Sequence, residues 1–190
     1  MYIEGQKKGG GLVDDENRLV NLVKTKKDRK AADRLVSKYY DDVYSYIYCQ
    51  LGNVDDSMDL THEAFLSFLQ NICKYDPEKS GLRTWLHSIA TNKVIDFRRK
   101  NKTICIDIED IELPDGMDYL KQIEDKEMLS EIDEFVRNTD EESEKIFRMR
   151  LYRNLSFADI GAALGISEGN SRLKYHRIIE KIRKEFENER

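Results

Sequence analysis

Apolar residues recur every three or four positions over most of this chain, which is the spacing of helices with one buried face. Leu19, Leu22 and Val23 predict a short first helix. Val36, Tyr40, Val43, Ile47 and Leu51 form a longer stripe, and Gly52-Asn53 stops it. Asp55, Asp56 and Ser57 are expected to start and cap the next helix, which runs to about Cys73 and buries Leu60, Ala64, Phe65, Phe68 and Ile72. Asp76-Pro77 and Ser80-Gly81 bracket a loop. A further helix, from about Leu82 to Lys102, turns Leu86, Ile89, Ala90, Val94 and Phe97 inward. From about Met128 the helical spacing returns, with Ile132, Phe135 and Val136 on one face and Ile146, Phe147, Met149 and Leu151 on another.

Two short helices follow with a sharp turn between them. Ser156 is placed to cap the first, with Asp159 three residues on. Gly161, Ala162 and Ala163 allow close approach, Gly165 supplies the turn, Ile166 plugs the core and Ser167 caps the second helix. Tyr175, Ile178, Ile182 and Phe186 run along one side of that second helix; Arg172, Lys174, Arg177, Lys181, Arg183 and Lys184 lie elsewhere. A basic helix of this width fits the major groove, where its first residues face the bases. Here those are Glu168, Asn170, Ser171, Arg172 and Lys174, with Arg177 further along. The competing reading is a plain helical hairpin with a solvated basic face.

Composition sharpens this all-α picture. The 190 residues hold two prolines and ten glycines, favouring long helices. The net charge of −5 argues weakly against nucleic acid, but its distribution matters more. Thr103 to Lys145 carries sixteen acidic residues against Lys121, Lys126, Arg137 and Lys145, a local charge of −12 that leaves about +7 for the remainder. Thr103 to about Lys126 reads as a linker, in its plainest reading a solvated acidic tether.

Several function classes drop out. No segment is long and apolar enough to span a bilayer, and Met1 to Gly11 lacks the apolar stretch of a secretory signal. Cys49, Cys73 and Cys105 are odd in number and far apart, as expected of reduced thiols in a cytoplasm. His62-Glu63 lacks the second histidine of a zinc-binding helix, so no metal and no cofactor is expected. No nucleophile–base pair or phosphate-cradling glycine loop points to an enzyme.

The segment Asp56-Ser-Met-Asp-Leu-Thr-His-Glu-Ala-Phe-Leu resembles the signature helix of bacterial RNA polymerase sigma factors. Tyr75-Asp-Pro-Glu-Lys-Ser-Gly-Leu-Arg-Thr-Trp-Leu and Ile89-Ala-Thr-Asn-Lys-Val-Ile-Asp-Phe-Arg-Arg resemble the promoter-melting and −10-reading stretch of the extracytoplasmic-function (ECF) class of the sigma-70 family. The helix-turn-helix resembles that class's −35 reader. The likeness covers roughly residues 15–102 and 128–187.

That resemblance implies a flexible tail at 1–14, a sigma2-like helical bundle at 15–102, an acidic linker at 103–127 and a sigma4-like domain at 128–190. It implies a cytoplasmic, non-catalytic factor that binds core RNA polymerase, through the β′ clamp and the β flap, and directs promoter-specific initiation. Asp56, Asp59, Leu60, His62, Glu63 and Phe65 would dock on the clamp; without the family, that helix reads as an ordinary amphipathic one. Tyr75, Trp85, Asn92, Lys93, Asp96, Arg98, Arg99 and Lys100 would serve the −10 element and melting, although Trp85 also suits a core and Arg98-Arg99-Lys100 also suits a helix C-terminus. The linker would thread along the polymerase's RNA path, and an anti-sigma partner is expected. Asn170-Ser171 and Leu173 depart from the family pattern, and Ser171 is expected to weaken the packing of the reading helix. The alternative from another class is a free-standing helix-turn-helix regulator, which leaves the N-terminal motifs without a role.

Overall fold

A computed structural model describes residues 10–101 and 126–186. Over these residues the chain forms eight α-helices and one 3-10 turn. The first four are α1 (Gly10–Lys26), α2 (Arg29–Leu51), α3 (Val54–Asn71) and α4 (Leu82–Lys100), with the 3-10 turn Ile72–Lys74 after α3. The second four are α5 (Lys126–Arg137), α6 (Glu141–Arg153), α7 (Phe157–Leu164) and α8 (Glu168–Phe186). Among the described residues there is no strand, as the apolar spacing predicts. Most of the acidic linker, and Cys105 with it, lies outside the described residues.

Helix ends are set by local chemistry. Asp28 accepts a hydrogen bond from the Ala31 amide at 3.1 Å, capping α2. Asn53, rather than Asp55, Asp56 or Ser57, caps α3, accepting from the Asp56 amide at 3.0 Å. Ser57 lies one turn inside, where its hydroxyl turns back onto the Asn53 carbonyl. Helix α1 starts at Gly10, within the stretch expected to be a loose tail. A helix anchored at Leu19 and Val20, both buried, extends backwards at little further cost because nucleation has been met.

In the first half α1 packs on α2, and α2, α3 and α4 enclose a core that includes Leu35, Val43, Ile47, Phe68, Leu86 and Val94. The residues expected on the inner face of α3 are all buried. In the second half α5, α6 and α7 surround α8, whose Tyr175, Ile178, Ile182 and Phe186 form the expected inner stripe. The two halves also touch each other directly. Helix α4 packs on α6 and α7, and α2 packs on α6, so one apolar cluster runs through both.

Candidate nucleic-acid and partner interfaces

The α7–α8 unit is a helix-turn-helix. Ser156 caps α7 by accepting from the Asp159 amide at 3.0 Å, and its hydroxyl donates to the Asp159 carboxylate at 2.7 Å. Gly165 closes α7 with φ of +74°, a left-handed conformation that costs glycine little. Gly161 lies where the turn crosses the helix: a Cβ there would stand 2.8 Å from the Ile166 carbonyl oxygen. Ser167 accepts from the Asn170 amide at 3.2 Å at the start of α8.

The residues expected at the bases divide into two groups. Glu168, Asn170, Arg172 and Arg177 are exposed, as is Leu173. Arg172 is held by Glu168 at 2.6 Å and lies over the Phe157 ring. Lys174 turns away toward the start of α6, pairing with Glu142 at 2.9 Å and Asp140 at 3.1 Å. Ser171 is a correction: it is fully buried, and its hydroxyl hydrogen-bonds the Phe157 carbonyl at 2.8 Å and the Glu168 carbonyl at 2.9 Å. It fastens α8 to α7 instead of weakening the packing, because a small hydroxyl fits where two helices cross and can satisfy itself on backbone oxygens.

On α3 the expected partner-binding residues likewise fall on two faces. Asp59, His62 and Glu63 are exposed and Asp56 is half-buried, whereas Leu60 and Phe65 are core residues. Tyr40 stacks on Phe65 and tilts toward His62, so an aromatic edge borders the acidic face. Met58 and Leu66 add exposed apolar surface to the same helix.

Helix α4 presents Asn92, Asp96, Arg99 and Lys100 to solvent, while Lys93 is half-buried and pairs with Glu63 at 3.2 Å. Between α3 and α4 lies an open cleft of about 380 Å³ whose lining includes Asn71, Trp85, Ser88, Asn92, Lys93 and Asp96, with Ala163 of α7. Trp85 is half-buried between Phe68 and Tyr75. Tyr75, expected as a stacking surface for a base, is buried in this arrangement. Its ring packs on Trp85, and Lys24 of α1 donates to its carbonyl at 2.5 Å. Arg98, expected among the residues facing the −10 element, is instead 1 % exposed and paired with Asp133 of α5.

Apart from Arg98 and Arg99, the charged side chains that join the halves are not ones the sequence singles out. Asp133 bonds both Arg98 and, at 3.1 Å, Arg148 of α6, and Arg148 also donates to Glu144 at 2.9 Å. All four side chains are buried. A second focus centres on Asp42 of α2. Arg83 grips its carboxylate with two bonds of 2.9 and 2.8 Å, and His87 Nε2 donates to it at 2.8 Å. Arg153 of α6 donates to the Asp42 carbonyl and lies over the Tyr46 ring. Burial lowers the His87 pKa against the pull of Asp42, so the ring is neutral near pH 7 with its proton on Nε2. Burial opposes ionisation of Asp42, but Arg83 and His87 outweigh it and hold the carboxyl far below the usual range. The one signal in the sequence is that Arg148 stands between Phe147 and Met149, on a helix whose Ile146, Phe147, Met149 and Leu151 are apolar. Among the described residues no group of side chains could hold a metal ion, and no helix is long and apolar enough to cross a membrane.

This arrangement, a helical bundle followed by a helix-turn-helix domain, is that of a two-part transcription factor. Residues 35–104 match the family model for sigma-70 region 2, and residues 140–184 match that for sigma-70 region 4. The ECF RNA polymerase sigma factor SigW of Bacillus subtilis is 30% identical over 173 residues, covering 85% of this chain and 91% of SigW. BldN of Streptomyces coelicolor, also an ECF sigma factor, is 27% identical over 174 residues, covering 88% of this chain but 66% of BldN. The solved structure of CnrH in complex with the cytosolic domain of CnrY shares the fold, with a TM-score of 0.59 at 16% identity, covering 93% of this chain and 100% of CnrH. The chain belongs to the sigma-70 family of RNA polymerase sigma factors, in its ECF class.

Proposed function

We propose that the chain binds core RNA polymerase and directs initiation by reading two promoter elements. The reading is carried by one observation: region 2 and region 4 follow each other on one chain, and each keeps an exposed set of polar side chains on the helix where contact is expected. In this assignment 1–14 is a tail, 15–102 the −10 and polymerase-binding domain, 103–127 the linker and 128–190 the −35 domain. The exposed face of α3, with Asp56, Asp59, His62 and Glu63, docks on the β′ clamp, while Leu60 and Phe65 hold that face from beneath. The −35 domain docks on the β flap.

Asn92, Lys93, Asp96, Arg99 and Lys100 face the −10 element. The cleft beside Trp85 offers polar groups and a ring edge to an extruded base, whose unstacking costs about a few kcal/mol. Glu168, Asn170, Arg172 and Arg177 read the −35 element in the major groove. The protein does no chemistry itself and acts in the cytoplasm, where an anti-sigma protein restrains it. CnrH, which shares the fold, has been solved in complex with the cytosolic domain of CnrY. Run-off transcription with purified bacterial core polymerase and a genomic promoter library tests the proposal. Transcripts that start only when this protein is added are expected; a library without any such start overturns it.

A further inference from the structure

Leu173 stands at the centre of the outer face of α8. It is 47 % exposed, and among the described residues it is the one large apolar side chain of the second half left in that state. At about 3.6 residues per turn it lies almost opposite Ser171 and Tyr175, which point into the core. Asn170 precedes it by three residues and Arg177 follows it by four, so the three share one stripe with Leu173 in the middle. Both flanking side chains are exposed, and among the described residues neither is engaged in an ion pair or a side-chain hydrogen bond. Arg172, by contrast, is tied to Glu168, and Lys174 is drawn toward Asp140 and Glu142.

A single exposed leucine is ordinary on a protein surface. This one is marked by its place. It separates two groups whose chemistry suits base edges and phosphates, and it can make no hydrogen bond itself. The major groove offers such a side chain one apolar feature, the C5-methyl group of thymine.

From this we infer that Leu173 is a specificity-determining residue, its side chain resting on the methyl group of a thymine in the upstream promoter element. The inference rests on the reading that α8 enters the major groove there. Neighbours on the stripe are about 5–6 Å apart and successive bases about 3.4 Å, so the thymine lies within about two base pairs of those met by Asn170 and Arg177. Cytosine is disfavoured at this position on two counts. It lacks the methyl group, and its amino group would lose water against leucine without gaining an acceptor.

Holoenzyme made from the full chain and purified bacterial core polymerase selects its preferred promoter from a pool of random-sequence duplexes. Each thymine of that promoter is then replaced by deoxyuridine, which removes the methyl group and leaves every hydrogen-bonding group in place. Replacement of one upstream thymine is expected to weaken binding about fourfold, the factor that burial of one methyl group carries. A cytosine–guanine pair at the same position should weaken it further. With Leu173→Ala the thymine and deoxyuridine duplexes should bind alike, whereas thymines of the −10 element keep their wild-type behaviour. Leu173→Met, which retains an apolar tip, should retain the discrimination. An upstream element without thymine, deoxyuridine without effect at every upstream thymine, or an upstream effect that survives in Leu173→Ala overturns the inference while leaving groove reading by α8 intact. A selection that yields no upstream preference at all sinks the reading of α8, and the inference with it.

Discussion

Two single residues show how little slack the fold has. Gly161 stands where a Cβ would meet the backbone oxygen of Ile166 at 2.8 Å, with backbone atoms of Ser167 and Glu168 at 3.2 Å. Backbone cannot swing aside as a side-chain tip can, so Gly161→Ala must push α7 and α8 apart. Overpacking of this kind costs about 1–3 kcal/mol, and the denaturant midpoint should fall accordingly. An unchanged midpoint would mean that the turn is looser than its geometry. His87 gives a pH dependence. Its folded pKa lies below the ordinary 6.5 because burial disfavours the charged ring. Between the two values the unfolded chain binds the extra proton, so the stability present above pH 6.5 is lost as pH falls toward the folded value. Urea midpoints of the wild type should therefore drop on mild acidification. His87→Gln should be the flatter of the two, and parallel pH profiles would remove His87 from the explanation.

At the scale of elements, the helices were legible because each keeps one apolar stripe, and the turn at Gly165 was legible because its residue types are restrictive. The bounds of α4 and the inner face of α8 agree closely with the spacing. The cap at Asn53 was missed because three acidic or hydroxyl residues follow it, all plausible caps by type. Ser171 and Arg98 were misplaced for a deeper reason: polar type predicts exposure, and only tertiary partners can make a buried polar group tolerable. Two element-scale tests follow from the exposed sets. Reversing Asp59 and Glu63 to lysine on α3 should abolish polymerase binding in a pull-down while far-ultraviolet circular dichroism stays the same; retained binding would return that face to a merely solvated one. On α8, Arg177→Ala should weaken binding of promoter DNA by holoenzyme and reduce the salt slope of log K by about one if it contacts a phosphate. A fixed slope together with fixed sequence preference would remove Arg177 from the interface.

At the scale of the whole molecule, the two halves have to serve two geometries. Bound to polymerase, they are proposed to grip one promoter at two points, where linkage makes modest contacts act together. Free, they lie against each other through a junction whose ion pairs are partly buried and partly exposed. These two kinds of contact answer salt differently. The exposed Arg99–Glu141 pair across the junction is open to screening, whereas Arg98, Asp133 and Arg148 are shut away from mobile ions. Raising ionic strength from about 0.1 M to about 1 M shortens the Debye length from about 10 Å to about 3 Å, which removes surface pairing and leaves enclosed pairs largely intact. The radius of gyration of the free chain should thus stay nearly constant over that range, while DNA binding falls steeply because each phosphate contact releases counterions. Expansion of the free chain in step with salt would show instead that surface charge holds the halves together, and would move the closing force from the buried Arg98 cluster to the rim.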